Sequence, residues 1–343
     1  MSGRAHDAML WQAVGDKVQC DLCAHRCKLG LGAWGLCNIR RNVGGQLKTF
    51  SYDNIVALNA DPIEKKPLFH FLPGTTSLSL ATAGCNFRCS FCQNWQISQL
   101  SRDNNPSSPR PGKAISPDEI VDLALAQGCE SISYTYTEPT IFFELAYDTA
   151  RLARQGGLRN CFVSNGFLTS RAIEAIAPYL DAINVDLKAF RDETYRKVFS
   201  GRLAPVLLAL GELQRAGVWL EVTTLVVPGM NDSQAELRDI AEFIAAELGP
   251  AVPWHVSRFH GDYKMAENCS TPIETLELAC GLGAEAGLKY VYCGNAPGLG
   301  DERTRCPGCG EVLIDRLGFV VKSVNLCDGK CPECDLAIEG VWQ

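Results

Sequence analysis

The grouping of the cysteine residues constrains this chain more than any other feature. It has 17 cysteines in 343 residues, and most of them fall in three groups. The groups are Cys20, Cys23, Cys27 and Cys37; Cys85, Cys89 and Cys92; and Cys306, Cys309, Cys327, Cys331 and Cys334. The N-terminal residues lack the charged-then-apolar pattern of a signal peptide, so we expect a cytoplasmic protein. Thiols clustered in that reducing compartment are typically metal ligands, which predicts metal or iron–sulfur sites.

The overall composition indicates a globular protein with a sizeable core. The chain is 46% hydrophobic, and no apolar run is long enough to cross a membrane. Its net charge of −7 argues against nucleic acid as a partner. The five scattered cysteines are expected to be small unpaired core residues, and they are Cys129, Cys161, Cys269, Cys280 and Cys293.

Between the outer cysteine groups, strand-like and helix-like segments alternate. Helix starts carry capping patterns such as Ser116-Pro117-Asp118-Glu119. The strand candidates are residues 77–83, 131–136, 160–164, 182–187, 218–227, 254–259 and 289–293. Such repeats predict an α/β fold with a parallel sheet in a partial or full (β/α) barrel, with a doubly wound open sheet as the alternative. In both folds, functional residues follow the carboxyl ends of the strands. Residues 101–112 are expected to form an exposed loop.

The central cysteine group has the spacing C-x3-C-x2-C and directly follows the first predicted barrel strand. Three thiolates in one short loop can bind three irons of a [4Fe–4S] cluster, which ordinarily takes four cysteines. No fourth cysteine lies nearby in the sequence, so one iron stays open to another ligand. An open coordination site is typical of a reactive centre. Zinc is the alternative, although three cysteines close its tetrahedron poorly.

Cys85, Cys89 and Cys92, with Phe91 at the aromatic position, resemble the signature of radical S-adenosylmethionine (SAM) enzymes. Further segments match in order along the chain, namely 67–98, 134–142, 162–167, 183–190, 220–233 and 253–260. Together they resemble most the radical SAM enzyme of the AmmeMemoRadiSam group, whose barrel is similar to that of pyruvate formate-lyase activating enzyme. The resemblance implies that the open iron chelates SAM and that an electron from the cluster cleaves it to a 5′-deoxyadenosyl radical.

The resemblance also assigns Phe91 and a set of strand-end residues to the SAM site. The strand-end residues are Tyr136, Thr137, Glu138, Ser164, Asn165, Asp186 and His255, with Lys188 beside the reacting groups. Relatives carry two glycines where this chain has Tyr136-Thr137. The approach of the backbone to SAM is therefore expected to differ here.

The residues alone leave simpler interpretations open. Glu138 also suits a helix N-terminus, Asn165 begins an Asn-Gly turn sequence, and a histidine such as His255 is more often a core residue. Asp186 and Lys188 share one face of their strand by alternation. Inside a barrel they must pair or hold a ligand, so a purely structural ion pair is the alternative for them.

The C-terminal group contains two C-x2-C pairs, Cys306 with Cys309 and Cys331 with Cys334. This is the spacing of a zinc ribbon or a rubredoxin, and four thiolates complete a tetrahedron. We therefore expect a structural zinc site and a module that folds only with its metal. Cys327 is an alternative ligand, although the repeated Cys-Pro-x-Cys pattern favours Cys331.

The N-terminal group is less decisive. Cys20, Cys23, Cys27 and Cys37 suit either zinc or a second iron–sulfur cluster, and zinc is slightly favoured. The choice matters because an iron–sulfur cluster could relay electrons, whereas zinc could only act as a scaffold.

These observations predict three parts: an N-terminal four-cysteine module (1–66), a radical SAM barrel (67–299) and a C-terminal zinc-ribbon-like module (300–343). The expected function is reductive cleavage of SAM to start a radical reaction on a protein or small molecule. The expected partners are a flavodoxin- or ferredoxin-type electron donor and a MEMO- or AMMECR-type protein. The alternatives are an activating enzyme that makes a glycyl radical in a partner enzyme, an RNA-modifying enzyme, which the net charge does not support, and a non-catalytic iron–sulfur or zinc scaffold.

Overall fold

The N-terminal part consists of two small antiparallel sheets. The protein is represented by a computed structural model that describes residues 5–99, 112–296 and 302–343. One sheet has the order β1-β6-β5 and the other β2-β3-β4. The strands are β1 (His6–Asp7), β2 (Trp11–Val14), β3 (Lys17–Cys20), β4 (Lys28–Leu29), β5 (Arg40–Val43) and β6 (Gln46–Thr49). Sequence analysis assigned no strands to this region.

The centre of the molecule is an eight-stranded sheet. Its strands are β7 (Ile55–Pro62), β8 (Thr76–Thr82), β9 (Ser131–Tyr134), β10 (Arg159–Ser164), β11 (Ala182–Asp186), β12 (Trp219–Val226), β13 (Trp254–Arg258) and β14 (Val291–Gly294). Strands β8 to β14 are parallel, and β7 pairs antiparallel with β8. The predicted parallel sheet is confirmed. The antiparallel strand β7 at its edge was not predicted from the sequence.

The strand order separates the two predicted topologies. The strands follow one another across the sheet in sequence order, from β7 to β14. A doubly wound sheet reverses its order in the middle, so this sheet is singly wound, as in a barrel. Within the described residues, β7 and β14 are not paired with each other, and the barrel is therefore partial.

Helices cover the outer face of the sheet. They are Trp95–Ser98, Pro117–Ala126, Phe143–Gln155, Ser170–Ile176, Asp192–Thr194, Leu203–Arg215, Gln234–Phe243 and Ile273–Glu285. Ser116 caps the second of them in a capping box with Glu119, as its sequence predicts. The helix Gln234–Phe243 is continued by a π-helical turn, Ile244–Leu248. No helix in the described ranges is both long and apolar enough to cross a membrane.

The C-terminal part is an antiparallel sheet at the open edge of the barrel. Its strands are β15 (Thr304–Arg305), β16 (Val312–Leu317) and β17 (Val320–Val324). Leu313 and Ile314 of β16 share an apolar cluster with Tyr292 of β14 and Phe69. Arg316 is buried there and donates to the carbonyl oxygen of Phe69. The C-terminal part therefore packs against the gap between the two edge strands.

Several details differ from the sequence-based expectations. Strand pairing crosses the predicted boundary between residues 66 and 67, because β7 belongs to the barrel sheet. Cys280 and Cys293 form a disulfide where unpaired residues were expected, because the helix Ile273–Glu285 packs on β14. Cys269 is exposed, since it lies in a loop before that helix rather than in an element of the core. Except for Gly112, the loop expected at 101–112 lies outside the described residues, as does the predicted boundary at 299/300.

Candidate active site

A cavity of about 810 Å³ opens at the carboxyl ends of the barrel strands. Parallel strands end at the same edge of a sheet, so residues far apart in sequence meet there. All the residues that sequence analysis assigned to the cluster and to SAM line this one cavity. They are Cys85, Cys89, Phe91, Cys92, Tyr136, Thr137, Glu138, Ser164, Asn165, Asp186, Lys188 and His255. Its volume is in the range of a pocket for a nucleoside-sized ligand.

The loop after β8 presents three thiols to this cavity. The backbone N–H of Phe87 donates to Cys85 Sγ at 3.4 Å, and Asn165 Nδ2 lies 3.9 Å from the same sulfur. Ser98 Oγ is 3.1 Å from Cys92 Sγ. Burial raises the pKa of Cys89 to about 12, so this thiol stays protonated unless a metal displaces the proton. Three thiols with donors placed around them fit three irons of a [4Fe–4S] cluster.

Glu138 ties together the ends of two neighbouring strands. Its carboxylate accepts hydrogen bonds from Ser164 Oγ at 2.9 Å, from the backbone N–H of Asn165 at 2.8 Å and from that of Thr140 at 3.0 Å. Burial raises the pKa of Glu138, although these donors oppose the shift. The helix-capping interpretation therefore describes real contacts of this residue. The same carboxylate also lines the cavity, so capping and ligand binding are compatible.

Tyr136 occupies a backbone conformation that favours glycine. Its φ is +59°, in the left-handed region that bulky residues rarely adopt. The side chain is anchored, because its hydroxyl donates to Asp61 and the Lys66 ammonium lies 4.6 Å from the centre of its ring. Residue 136 thus combines a glycine-like backbone with an aromatic side chain at the cavity wall.

Asp186 and Lys188 form an ion pair at the end of β11. Lys188 Nζ lies 2.8 Å from Asp186 Oδ2, and both residues line the cavity. Burial alone would lower the pKa of Lys188, but the carboxylate of Asp186 outweighs burial and raises it. Lys188 is therefore a fixed cation beside the three thiols. The alternation of side chains along a strand predicted that Asp186 and Lys188 share one face, and the ion pair confirms that they lie together.

His255 is held by a carboxylate that sequence analysis missed. Its Nε2 lies 2.6 Å from Oε2 of Glu221, a fully buried residue of β12. Glu221 also accepts from the backbone N–H groups of Phe69 and His70. The hydrogen bond to His255 keeps the pKa of Glu221 below its usual value despite burial, which alone would raise it. The available signal was a lone acid in an otherwise uncharged strand, two residues before the cavity-lining Thr223.

Two other walls of the cavity come from outside the predicted barrel. One is the segment after β7, which contributes Glu64, Lys65 and Lys66. The other is the turn of the β16–β17 hairpin, which contributes Leu317 and Phe319. Sequence analysis missed both, because neither segment carries a family motif and their position depends on tertiary packing.

The outer cysteine groups differ in geometry. In the C-terminal group, Cys306 Sγ lies 3.5 Å from Cys334 Sγ, and Cys309 Sγ lies 3.6 Å from Cys331 Sγ. All four sulfur atoms lie within 4.8 Å of one another, which fits one tetrahedral metal ion. The structure places Cys331 in this group, whereas Cys327 pairs with Lys330 through its backbone.

The N-terminal group surrounds a small enclosed cavity of about 20 Å³. This cavity is lined by all four thiols together with Arg40 and His25, among others. The four cysteines are Cys20, Cys23, Cys27 and Cys37. This group, too, is therefore assembled around one centre.

Comparison with known proteins identifies the family to which this geometry belongs. The family model "Radical SAM superfamily" matches residues 79–244. A protein of Methanocaldococcus jannaschii named uncharacterized protein MJ0808 is 44% identical over 336 residues, which cover 98% of this chain and 98% of that protein. The matched region therefore contains the cysteine loop, the cavity-lining strand ends and both outer modules.

Two more distant matches cover part of the chain. Benzylsuccinate synthase activating enzyme of Thauera aromatica is 25% identical over 160 residues, covering 43% of this chain and 47% of that enzyme. The crystal structure of Streptococcus suis SuiB is similar in fold, with a TM-score of 0.50 at 11% identity over 70% of this chain and 53% of that chain. This chain thus spans only about half of each of these two proteins.

Proposed function

The chain belongs to the radical SAM superfamily, and we propose that it cleaves SAM reductively to start a radical reaction on a protein or small-molecule substrate. The observation that carries this proposal is the meeting of three thiols and nine family-assigned side chains in one cavity. In the proposal, Cys85, Cys89 and Cys92 hold a [4Fe–4S] cluster. That cluster, when bound, supplies the electron that breaks a sulfonium bond of SAM.

The residues around the thiols would set the electrostatics of this centre. The N–H of Phe87 and the amide of Asn165 donate toward Cys85, and hydrogen bonds to ligand sulfurs stabilise negative charge on a cluster. Lys188 adds a buried positive charge on the same side of the cavity. We propose that these groups favour the electron-rich state needed for SAM cleavage.

The strand ends would bind and orient SAM. Thr140 and Ser164 donate to Oε1 of Glu138, whereas Oε2 accepts, among the described residues, only from the backbone N–H of Asn165. An oxygen has two lone pairs, so Oε2 would be the atom that receives the methionyl ammonium. The aromatic rings of Phe91 and Tyr136 would exclude water from the sulfonium. His255, fixed by Glu221, would contact the nucleoside part. The substrate would enter between these groups and the hairpin turn at Leu317.

More than one class of substrate is compatible with this reaction. A glycyl radical partner enzyme is the second candidate, favoured by the similarity to benzylsuccinate synthase activating enzyme. A pathway with MEMO- or AMMECR-type proteins rests on the sequence resemblance alone. In either case the reductant would be a flavodoxin- or ferredoxin-type protein of the cytoplasm. A non-catalytic scaffold is disfavoured, because a scaffold needs no SAM-sized cavity beside its thiols.

The proposal is tested by product analysis under anaerobic conditions. The reduced protein is incubated with SAM, and 5′-deoxyadenosine is measured by mass spectrometry. Cys85→Ser, Cys89→Ser and Cys92→Ser should each abolish the product, and Cys269→Ser, at an exposed cysteine outside the groups, should release as much as the unmodified protein. Release that persists in the three loop variants would refute the proposal.

A further inference from the structure

The spacing of the cysteine sulfurs separates the three groups into two kinds. Four thiolates on one zinc ion lie about 2.3 Å from the metal and so about 3.8 Å from one another. Searched within the described ranges, only the C-terminal group brings three or more ligand atoms within 4.8 Å of one another. The N-terminal four lie wider apart, and so do Cys85, Cys89 and Cys92. By this criterion the N-terminal group, like the proposed cluster loop, differs from the zinc-like group.

The N-terminal thiols also enclose space that a zinc site does not have. Their cavity of about 20 Å³ admits a water-sized sphere of about 1.4 Å radius. When four sulfur atoms lie about 2.3 Å from a common centre, as around zinc, they leave no room there for a water-sized sphere. In a cubane cluster each thiolate binds a different iron, so the sulfurs stand around an inorganic core. The four thiols therefore surround more space than four ligands of a single zinc ion would leave at their centre.

The wall of this cavity contains a buried cation that donates to sulfur. Arg40 lines the cavity and donates from Nη1 to Cys20 Sγ at 3.4 Å, while its Nη2 pairs with the buried carboxylate of Glu144. The Nε atom of Arg40 is buried and has no hydrogen-bond partner among the described residues. A buried N–H without a partner lacks the hydrogen bond that such groups ordinarily make, and a cluster sulfide is an acceptor that would supply it.

The N-terminal module contacts the cysteine loop of the barrel directly. His25 Nε2 lies 3.0 Å from the carbonyl oxygen of Asn86, the residue after Cys85. Thr140 lines the N-terminal cavity, and its N–H donates to Glu138, which lines the large one. Only one layer of side chains therefore separates the two cavities.

From these observations we infer that Cys20, Cys23, Cys27 and Cys37 hold a second [4Fe–4S] cluster, adjacent to the one proposed at Cys85, Cys89 and Cys92. Sequence analysis had slightly favoured zinc for these four cysteines, and the present inference replaces zinc by an iron–sulfur cluster. The second cluster carries single electrons: it accepts one from an external one-electron donor protein and is reoxidised when that electron passes to the neighbouring cluster. No bond or proton changes in this exchange.

The test counts acid-labile sulfide, which iron–sulfur clusters contain and zinc sites do not. The protein is purified anaerobically from iron-supplied cells without chemical reconstitution. Two [4Fe–4S] clusters give about eight sulfides per chain. The triple variant Cys85→Ala/Cys89→Ala/Cys92→Ala should retain about four, and adding Cys23→Ala and Cys27→Ala should remove them. The control Cys269→Ser should keep about eight.

Zinc analysis and magnetic resonance complete the test. About one zinc per chain is expected, and it should be lost in Cys306→Ala/Cys309→Ala. In the reduced protein, electron paramagnetic resonance should show a spectrum broadened by interaction between two clusters, which the triple variant lacks. A triple variant without sulfide, in a protein with about two zinc ions, would overturn the inference. That result would leave SAM cleavage untouched, because cleavage is measured separately.

Discussion

His255 Nε2 lies 2.6 Å from Oε2 of Glu221, and both side chains are buried. The carboxylate also accepts two backbone N–H groups from the segment before β8. It therefore links the start of β13 to a segment that lies nearly two hundred residues earlier in the sequence. A buried acceptor of this kind stabilises the fold and fixes the imidazole ring at the cavity wall.

Glu221→Gln should weaken this link. The amide replaces one acceptor oxygen by a donor and leaves a buried N–H of Phe69 or His70 without a good partner. We expect the free energy of unfolding to fall by about 1–3 kcal/mol, measured by chemical denaturation under anaerobic conditions. Glu247→Gln, at an exposed position, should change it by less than about 0.5 kcal/mol. If Glu221→Gln and Glu247→Gln lowered the free energy of unfolding equally, the stabilising role assigned to Glu221 would be contradicted.

His70 should make the stability of the fold pH-dependent. Burial lowers its pKa from 6.5 to about 4. Between these values the unfolded chain binds the proton more readily than the folded one, so the stabilisation is complete above pH 6.5 and is lost as the pH falls toward 4. At pH 5.5 the expected loss is about 1 kcal/mol.

His70→Gln should flatten that dependence. The denaturation midpoint of the unmodified protein should fall between pH 7 and pH 5.5, and that of the variant should fall less. His6→Gln serves as the control, because His6 lies near the surface and should leave the slope as it is. If the midpoint of His70→Gln fell with pH as steeply as that of the unmodified protein, a group other than His70 would cause the pH dependence.

Tyr136 should tolerate glycine better than a β-branched residue. Tyr136→Gly keeps the left-handed backbone without strain, whereas Tyr136→Val places a branched side chain at φ +59°, at a cost on the order of 1–3 kcal/mol. We expect the valine variant to unfold at a lower temperature than the glycine variant and to bind SAM more weakly in calorimetry. Tighter SAM binding by the valine variant would argue against a backbone role.

Lys188 should act through its charge. Its pKa is raised by Asp186, so it stays protonated across the range in which the enzyme is assayed. Lys188→Met should keep the iron content and lower the rate of 5′-deoxyadenosine release at least about tenfold, the effect of losing one charged hydrogen bond. Lys197→Met, at an exposed ion pair with Glu193, should retain the full rate. An unchanged rate in Lys188→Met would make the pair purely structural.

The C-terminal group should require its metal for order. Cys309→Ser removes one of four ligands from the sulfur group, and small metal modules lose structure without their ion. We expect loss of about one zinc per chain and faster proteolysis within 302–343. Cys327→Ser, at a cysteine outside that group, should keep both the zinc and the resistance. Zinc loss in Cys327→Ser but not in Cys309→Ser would reverse the ligand assignment.

The sequence was sufficient to predict the parallel strands and the side chains that face the cavity. Buried parallel strands are continuous apolar runs, and polar residues that follow them must meet at one edge. Asp186 and Lys188 could be placed in this way. His255 lines the cavity as expected, but it lies near the start of β13 and not at the strand end where sequence analysis put it. Glu138 could also be placed, although its part in joining β9 to β10 depends on neighbours that only the folded chain brings near.

Contacts between distant segments were beyond sequence reasoning. Nothing near Asp61 or Glu221 indicates that each meets a side chain from another part of the chain. The edge strand β7 has no helix-crossover pattern, because an antiparallel neighbour needs none. The spacing of Cys20, Cys23, Cys27 and Cys37 in the sequence allows either zinc or an iron–sulfur cluster. Only the folded chain shows that the four thiols line a cavity.

The hairpin turn at Leu317 and Phe319, which lines the cavity, has a consequence for how the protein is made. The chain leaves the ribosome from its N-terminus, so the cysteine loop and every barrel strand emerge before this hairpin does. During that interval the loop thiols face an incomplete chamber that is open on one side. A cluster could be delivered through this opening before the hairpin closes it, which would make the order of synthesis part of the assembly of the site.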